Sequence, residues 1–103
     1  MPESAPLTVG TIILDPERWI VTVAGRAVPF TKKEFQLLRA LLDAHGRVLT
    51  YGWLMDHVWD GGAHLSGKSR IVGTYMRYLR YKLGPEATRI QTVREVGYRL
   101  NCD

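Results

Sequence analysis

Lys68-Ser69-Arg70-Ile71-Val72-Gly73-Thr74-Tyr75-Met76-Arg77-Tyr78-Leu79-Arg80-Tyr81-Lys82-Leu83 carries two patterns at once. Val72, Met76, Leu79 and Leu83 recur at i, i+4, i+7 and i+11, which is one apolar stripe on a helix. The other side holds Arg70, Thr74, Arg77, Tyr78 and Tyr81. A helix over 68–83 would be about 24 Å long, stopped by Gly84-Pro85. It would seat one side on a core and offer hydrogen-bond donors on the other.

Downstream, Arg89-Ile90-Gln91-Thr92-Val93-Arg94, Glu95-Val96-Gly97 and Tyr98-Arg99-Leu100 read as two short strands around a tight, glycine-containing turn. Arg94 then sits at the tip of a ribbon directly after a basic helix. Upstream, Thr50 is placed to cap a second helix running to about Trp59, with Leu54 and Val58 inward. Thr31-Lys32-Lys33-Glu34 forms a capping box, and Phe35, Leu38, Leu41 and Leu42 share one face of the first helix, which Gly46 ends. Residues 7–30 read as a short antiparallel meander. Val9 to Leu14 is one strand stopped by Asp15-Pro16, Trp19 to Val23 a second, and Ala27 to Phe30 a third after a turn at Ala24-Gly25-Arg26. Pro29 belongs at an edge or strand end because it donates no ladder hydrogen bond. The order meander, three helices, hairpin is that of an α+β domain.

The 103 residues allow one domain, read here as 7–103 after a flexible leader or linker stub at 1–6. Composition is that of a globular chain, with 46% hydrophobic and 23% charged residues. Cys102 is the single cysteine, so no internal disulfide is expected, which suits a reducing cytoplasm. No apolar run is long enough for a membrane span, and the N-terminus lacks the pattern of a signal peptide. The net charge is +4, unevenly distributed. Residues 68–99 hold eight basic and two acidic residues, and the rest of the chain six basic and eight acidic. A basic block on a slightly acidic body points to a polyanionic partner.

Together, a basic amphipathic helix and an arginine-tipped ribbon describe a winged helix. The major groove of B-DNA admits such a helix, where arginine meets guanine edges and threonine meets thymine methyls or phosphates. A narrow, electronegative minor groove suits an arginine on a protruding loop.

The chain resembles the OmpR/PhoB-type effector domain of bacterial two-component response regulators. The resemblance is carried by Phe30-Thr31-Lys32-Lys33-Glu34-Phe35-Gln36-Leu37-Leu38, by Gly46-Arg47-Val48-Leu49-Thr50, by Leu54, Val58 and Trp59, by Ser69 through Gly84, and by Ile90 through Leu100. It covers about residues 7–100. It implies a winged helix-turn-helix: an N-terminal antiparallel β-sheet, a three-helix core and a C-terminal β-hairpin wing. It further implies Arg70, Thr74, Tyr75, Arg77, Tyr78 and Arg80 as helix contacts to double-stranded DNA, and Thr92 and Arg94 as wing contacts. Loop 60–67 matches the segment that in relatives can touch RNA polymerase, and two protomers on repeated half-sites are implied as well.

The chain departs from the family pattern at Gly73, where aspartate is common, and at Tyr78 and Tyr81, where arginine is common. Glu95 replaces a common glycine beside the wing turn, and Gly52-Trp53 replaces a polar or acidic opening of the second helix. The resemblance implies a receiver domain with a phosphorylatable aspartate. Asp15, Asp43, Asp56 and Asp60 do not recreate one. Either the sequence is an excised effector domain or the protein is regulated otherwise.

No enzyme, cofactor or metal is expected. Gly62-Ala63-His64-Leu65-Ser66-Gly67-Lys68-Ser69 fits the letters of a nucleotide-binding P-loop, but the segment before it reads as a helix and not a buried strand. His45, His57 and His64 have no cysteine partners for zinc, and no serine or cysteine has a convincing base. Trp19, Trp53 and Trp59 read as core or partly buried residues. A winged-helix module that binds acidic proteins is the remaining alternative.

Overall fold

A computed structural model describes residues 5–59 and 68–103 of the chain. Among them, strands β1 (Leu7–Val9), β2 (Ile12–Asp15), β3 (Ile20–Val23) and β4 (Arg26–Val28) form an antiparallel sheet in sequence order. Helix α1 (Lys32–Asp43) follows, then β5 (Leu49–Thr50), α2 (Tyr51–His57), α3 (Lys68–Leu83), a 3₁₀ turn (Gly84–Arg89), β6 (Ile90–Val93) and β7 (Gly97–Leu100). The last three strands form a second sheet in the order β5-β7-β6.

The single strand expected from Val9 to Leu14 is two strands. Gly10 has φ of +56°, and the chain reverses at Gly10-Thr11, so that Val9 pairs with Ile12. Glycine enters this left-handed region without a Cβ penalty, which lets a tight turn interrupt an apolar run. In β2 and β3, Ile12, Leu14, Val21 and Val23 point inward and are buried, while Ile13 and Ile20 face out. Pro29 lies just past β4, the sheet's edge strand.

Helix α1 begins as its capping box requires. The Thr31 hydroxyl accepts from the Glu34 N–H at 3.2 Å, and the Glu34 carboxylate accepts from the Thr31 N–H at 2.9 Å. Phe35, Leu37, Leu38, Leu41 and Leu42 are buried. His45 and Gly46 then take φ of +50° and +88°, ending the helix. Thr50 caps α2 by accepting from the Trp53 N–H at 3.1 Å, and α2 stops at His57, two residues short of the expected Trp59.

The short strand β5 has no signature in the residue pattern. Two residues give no periodicity to detect. Nor does Gly97 belong to the wing turn. It lies in β7, paired with Val93 on one side and Thr50 on the other. A Cβ there would sit 1.9 Å from the Leu49 carbonyl oxygen, so the glycine permits close approach of two strands. The turn itself is Arg94-Glu95-Val96, and Glu95 takes the positive φ, +66°.

Trp19 stacks on Phe35 with ring centroids 4.3 Å apart and Trp53 on His57 at 4.0 Å, both rings remaining partly exposed. Trp59 meets Tyr75 edge-on at 5.2 Å.

Candidate nucleic-acid interface

Helix α3 spans the residues its periodicity predicts, Lys68–Leu83. Val72, Met76, Leu79 and Leu83 are each 0% exposed. At roughly 1.5–3 kcal/mol per fully buried aliphatic side chain, this stripe fixes the helix rotationally. The opposite face is therefore held outward: Arg70 and Arg77 are exposed, Tyr78 is 47% exposed and Tyr81 88%.

Of the remaining helix residues expected at the site, Thr74 shares the outward face by helical phase, and Tyr75 and Arg80 flank it. The Thr74 hydroxyl donates to the Arg70 carbonyl at 2.9 Å. Tyr75 is half-buried between Trp59 and Tyr78, its ring edge-on to both. It braces Tyr78 more than it reaches outward. Arg80 is half-buried and turned toward the wing, where its Nη2 donates to the Ile90 carbonyl at 3.1 Å and to the Thr92 hydroxyl at 3.0 Å. Thr92 is exposed on β6, and Arg94 is exposed at the turn beside Glu95 and Val96. Of the expected helix and wing residues, the structure brings Arg80 and Thr92 into direct contact, bonded across the junction.

The basic block is smaller in effect than in count. Lys82 is bonded to the buried Glu34 carboxylate. Arg89 pairs with Glu86 at 2.6 Å and caps the carbonyls of Asn101 and Asp103. Arg99 donates to the Gly46 carbonyl at 2.9 Å and is bonded to Gln91. Among the described residues, no ion pair involves Arg70, Arg77 or Arg94. Within the block, these three are exposed cations without an ion-pair partner among the described residues. Apart from the local Arg89–Glu86 pair, no simple sequence signal separates them from Arg80, Lys82, Arg89 and Arg99, because the other acceptors are backbone carbonyls and side chains eight or more residues away.

Burial pushes the Glu34 carboxyl up, but hydrogen bonds from Lys82 and Thr31, with the Lys82 charge, outweigh it and lower its pKa overall. Glu86 is held down to about 2, chiefly by the hydroxyl and N–H of Thr11 and then by Arg89. Burial raises the Tyr98 hydroxyl. None of these groups lies on the outward face of α3, so the shifts belong to the scaffold.

Among the described residues there is no cluster of three or more metal-ligating side chains, and no helix is long and apolar enough to cross a membrane. Residues 60–67, which include most of the P-loop-like letters and the segment compared with a polymerase-contacting loop, lie outside the described residues. The element before them is α2, a helix and not a strand.

A family profile described as "Transcriptional regulatory protein, C terminal" matches residues 25–100. The response regulator ArlR of Staphylococcus epidermidis is 37% identical over 99 residues, covering 94% of this chain and 44% of ArlR. The chain thus spans less than half the length of that relative. The DNA-binding domain of Klebsiella pneumoniae RstA, solved in complex with the RstA box, superposes with a TM-score of 0.82 at 27% identity, covering 95% of this chain and 98% of that one. The DNA-binding domain of the response regulator AdeR, solved with an intercistronic region, gives 0.79 at 26% identity, covering 94% and 99%.

Proposed function

We propose that this chain, which belongs to the family of transcriptional regulatory protein C-terminal domains, binds double-stranded DNA sequence-specifically and regulates transcription from it. Helix α3 enters the major groove, with Arg70, Thr74, Arg77 and Tyr78 presented to base edges and phosphates, and with Tyr75 and Arg80 at the margins of the contact. The wing enters the adjacent minor groove with Arg94, flanked by Thr92. No bond is made or broken. Arginines set register and affinity on the phosphates, and the outward helix face selects bases.

One observation carries this reading. The apolar stripe of α3 is fully buried, so Arg70, Arg77 and Tyr78 stand outward, on a helix that Arg80 bonds to an arginine-tipped hairpin. The DNA-bound domains that the chain superposes on support it. Residues 7–103 act as one unit in this scheme. Two protomers on repeated half-sites, and a contact of loop 60–67 with RNA polymerase, belong to the same proposal, as does work in the cytoplasm.

Selection of bound duplexes from a random pool tests it, and should return one preferred motif with an A/T-rich flank. For four to six phosphate contacts, log K should fall against log salt with a slope of about −4 to −5. No enrichment with a flat salt response would overturn the reading and favour a protein partner.

A further inference from the structure

The wing is mounted on both edges. On one, the Tyr51 N–H at the start of α2 donates to the Val96 carbonyl at 3.2 Å, continuing the β5–β7 ladder. On the other, β6 is an edge strand; Ile90 is buried in the core that also holds the α3 stripe, and the hydrogen-bonded link to α3 runs through Arg80. That side chain touches three different parts of the hairpin. Nη2 bonds a backbone carbonyl, that of Ile90, and a side-chain hydroxyl, that of Thr92, while the guanidinium carbon lies 6.0 Å from the ring centroid of Tyr98 on β7. Arg80 lies three residues beyond Arg77, about one helical turn, so the reading face and the tether sit on the same rigid element.

Resting on the proposed function, we infer that Arg80 is a positioning residue: it sets the separation of the wing from α3, and so the spacing along a duplex between the bases read by α3 and the minor groove entered by Arg94. The planar guanidinium suits this task. It holds two acceptors in fixed directions, whereas a lysine ammonium is a point charge on a flexible stem. The Thr92 hydroxyl, once it accepts from Arg80, keeps its own proton for a phosphate oxygen, so the tether also orients a donor.

Two measurements on Arg80→Met, Arg80→Lys and Thr92→Val test this. The first needs no DNA. Amide hydrogen exchange at Val96, whose N–H is bonded to the Val93 carbonyl, should quicken on the order of tenfold in Arg80→Met, the scale of one lost charge-assisted hydrogen bond. Arg80→Lys should not restore it. Thr92→Val, at an exposed position, should quicken it less, and the double variant should be no worse than Arg80→Met alone. The second is duplex selection. The wild type should give one fixed separation between the core motif and its A/T-rich flank. Arg80→Met should keep the core and spread the flank over neighbouring positions, whereas Arg94→Ala should lose the flank with Val96 exchange unchanged. Unaltered exchange in Arg80→Met, with a sequence-independent loss of affinity and a salt slope shallower by about one, would overturn the inference and make Arg80 a phosphate contact. If the wild type bound no duplex, the function would fall while the exchange data still decided whether Arg80 tethers the wing.

Discussion

The carboxylate of Glu86 accepts from both the N–H and the hydroxyl of Thr11, a residue 75 positions earlier, at 2.6 and 2.5 Å. Its other oxygen takes Arg89 Nε at 2.6 Å. One side chain thus joins the β1–β2 turn to the segment that leads into the wing. The glycine at position 10 leaves room for it, since a Cβ there would lie 2.5 Å from Arg89 Nη2.

Acid stability follows from this junction. The Glu86 carboxyl is lowered from 4.5 to about 2, so its stabilisation is complete above pH 4.5 and is lost as pH falls toward 2. Glu34, also lowered, loses its contribution in the same direction. Glu86→Gln should cost about 1–3 kcal/mol at pH 7 and flatten the acid limb of Tm against pH. Melts from pH 2 to 7 check this. Parallel curves for the two proteins would mean that the junction does not titrate.

Gly97→Ala should destabilise the domain by roughly 3 kcal/mol, the upper part of the range for a methyl forced into closed packing. The clash is with backbone, at the Leu49 carbonyl, so no side-chain rotation relieves it. Urea unfolding measures the loss, and an unchanged midpoint would contradict the close approach of β5 and β7.

Glu95→Gly should strengthen duplex binding several-fold and add about 0.5 kcal/mol of stability. Relief of a left-handed φ is worth about 1–2 kcal/mol, offset in part by the greater chain entropy of glycine. Glu95→Gln separates the two effects, removing the charge beside Arg94 while keeping the +66° backbone occupied by a side chain. Its affinity should rise without the gain in stability. Titrations at two salt concentrations, paired with thermal melts, distinguish the variants.

Arg77→Ala should relax base preference by about 1–3 kcal/mol at one position of the site, the usual discrimination of a good base contact. Arg94→Ala should weaken binding most on A/T-rich flanks. Competition among single-base variants of the selected site reads both effects. Unchanged preference would remove Arg77 from the base-reading set, and equal loss on all duplexes would reduce Arg94 to a phosphate contact.

Much of this was visible in the residue order. The α3 stripe, the Thr31–Glu34 box and the hairpin after Gly84-Pro85 are local patterns, and each lies where its period or cap puts it. What the sequence concealed was pairing at a distance and one local reversal. Strand β5 is two residues long and exists because β7 lies beside it. The Gly10-Thr11 reversal hides inside an apolar run. Gly97 looks like a turn residue and instead serves a strand contact. At the interface, Arg70 and Arg77 could be placed by helical phase. Phase alone does not show that Arg80 is occupied by Ile90 and Thr92, or that Lys82 is occupied by Glu34, because both depend on tertiary partners.

The three-strand order β5-β7-β6 limits how the domain can be re-engineered. Only the side chains of Arg94, Glu95 and Val96 form an exchangeable cassette, and its length is fixed by the Val96 carbonyl that Tyr51 grips. A graft extending one residue further reaches Gly97, displaces Thr50 and uncaps α2. Transplanting a foreign wing wholesale would therefore disturb a helix some forty residues upstream, whereas rewriting its three tip side chains would not.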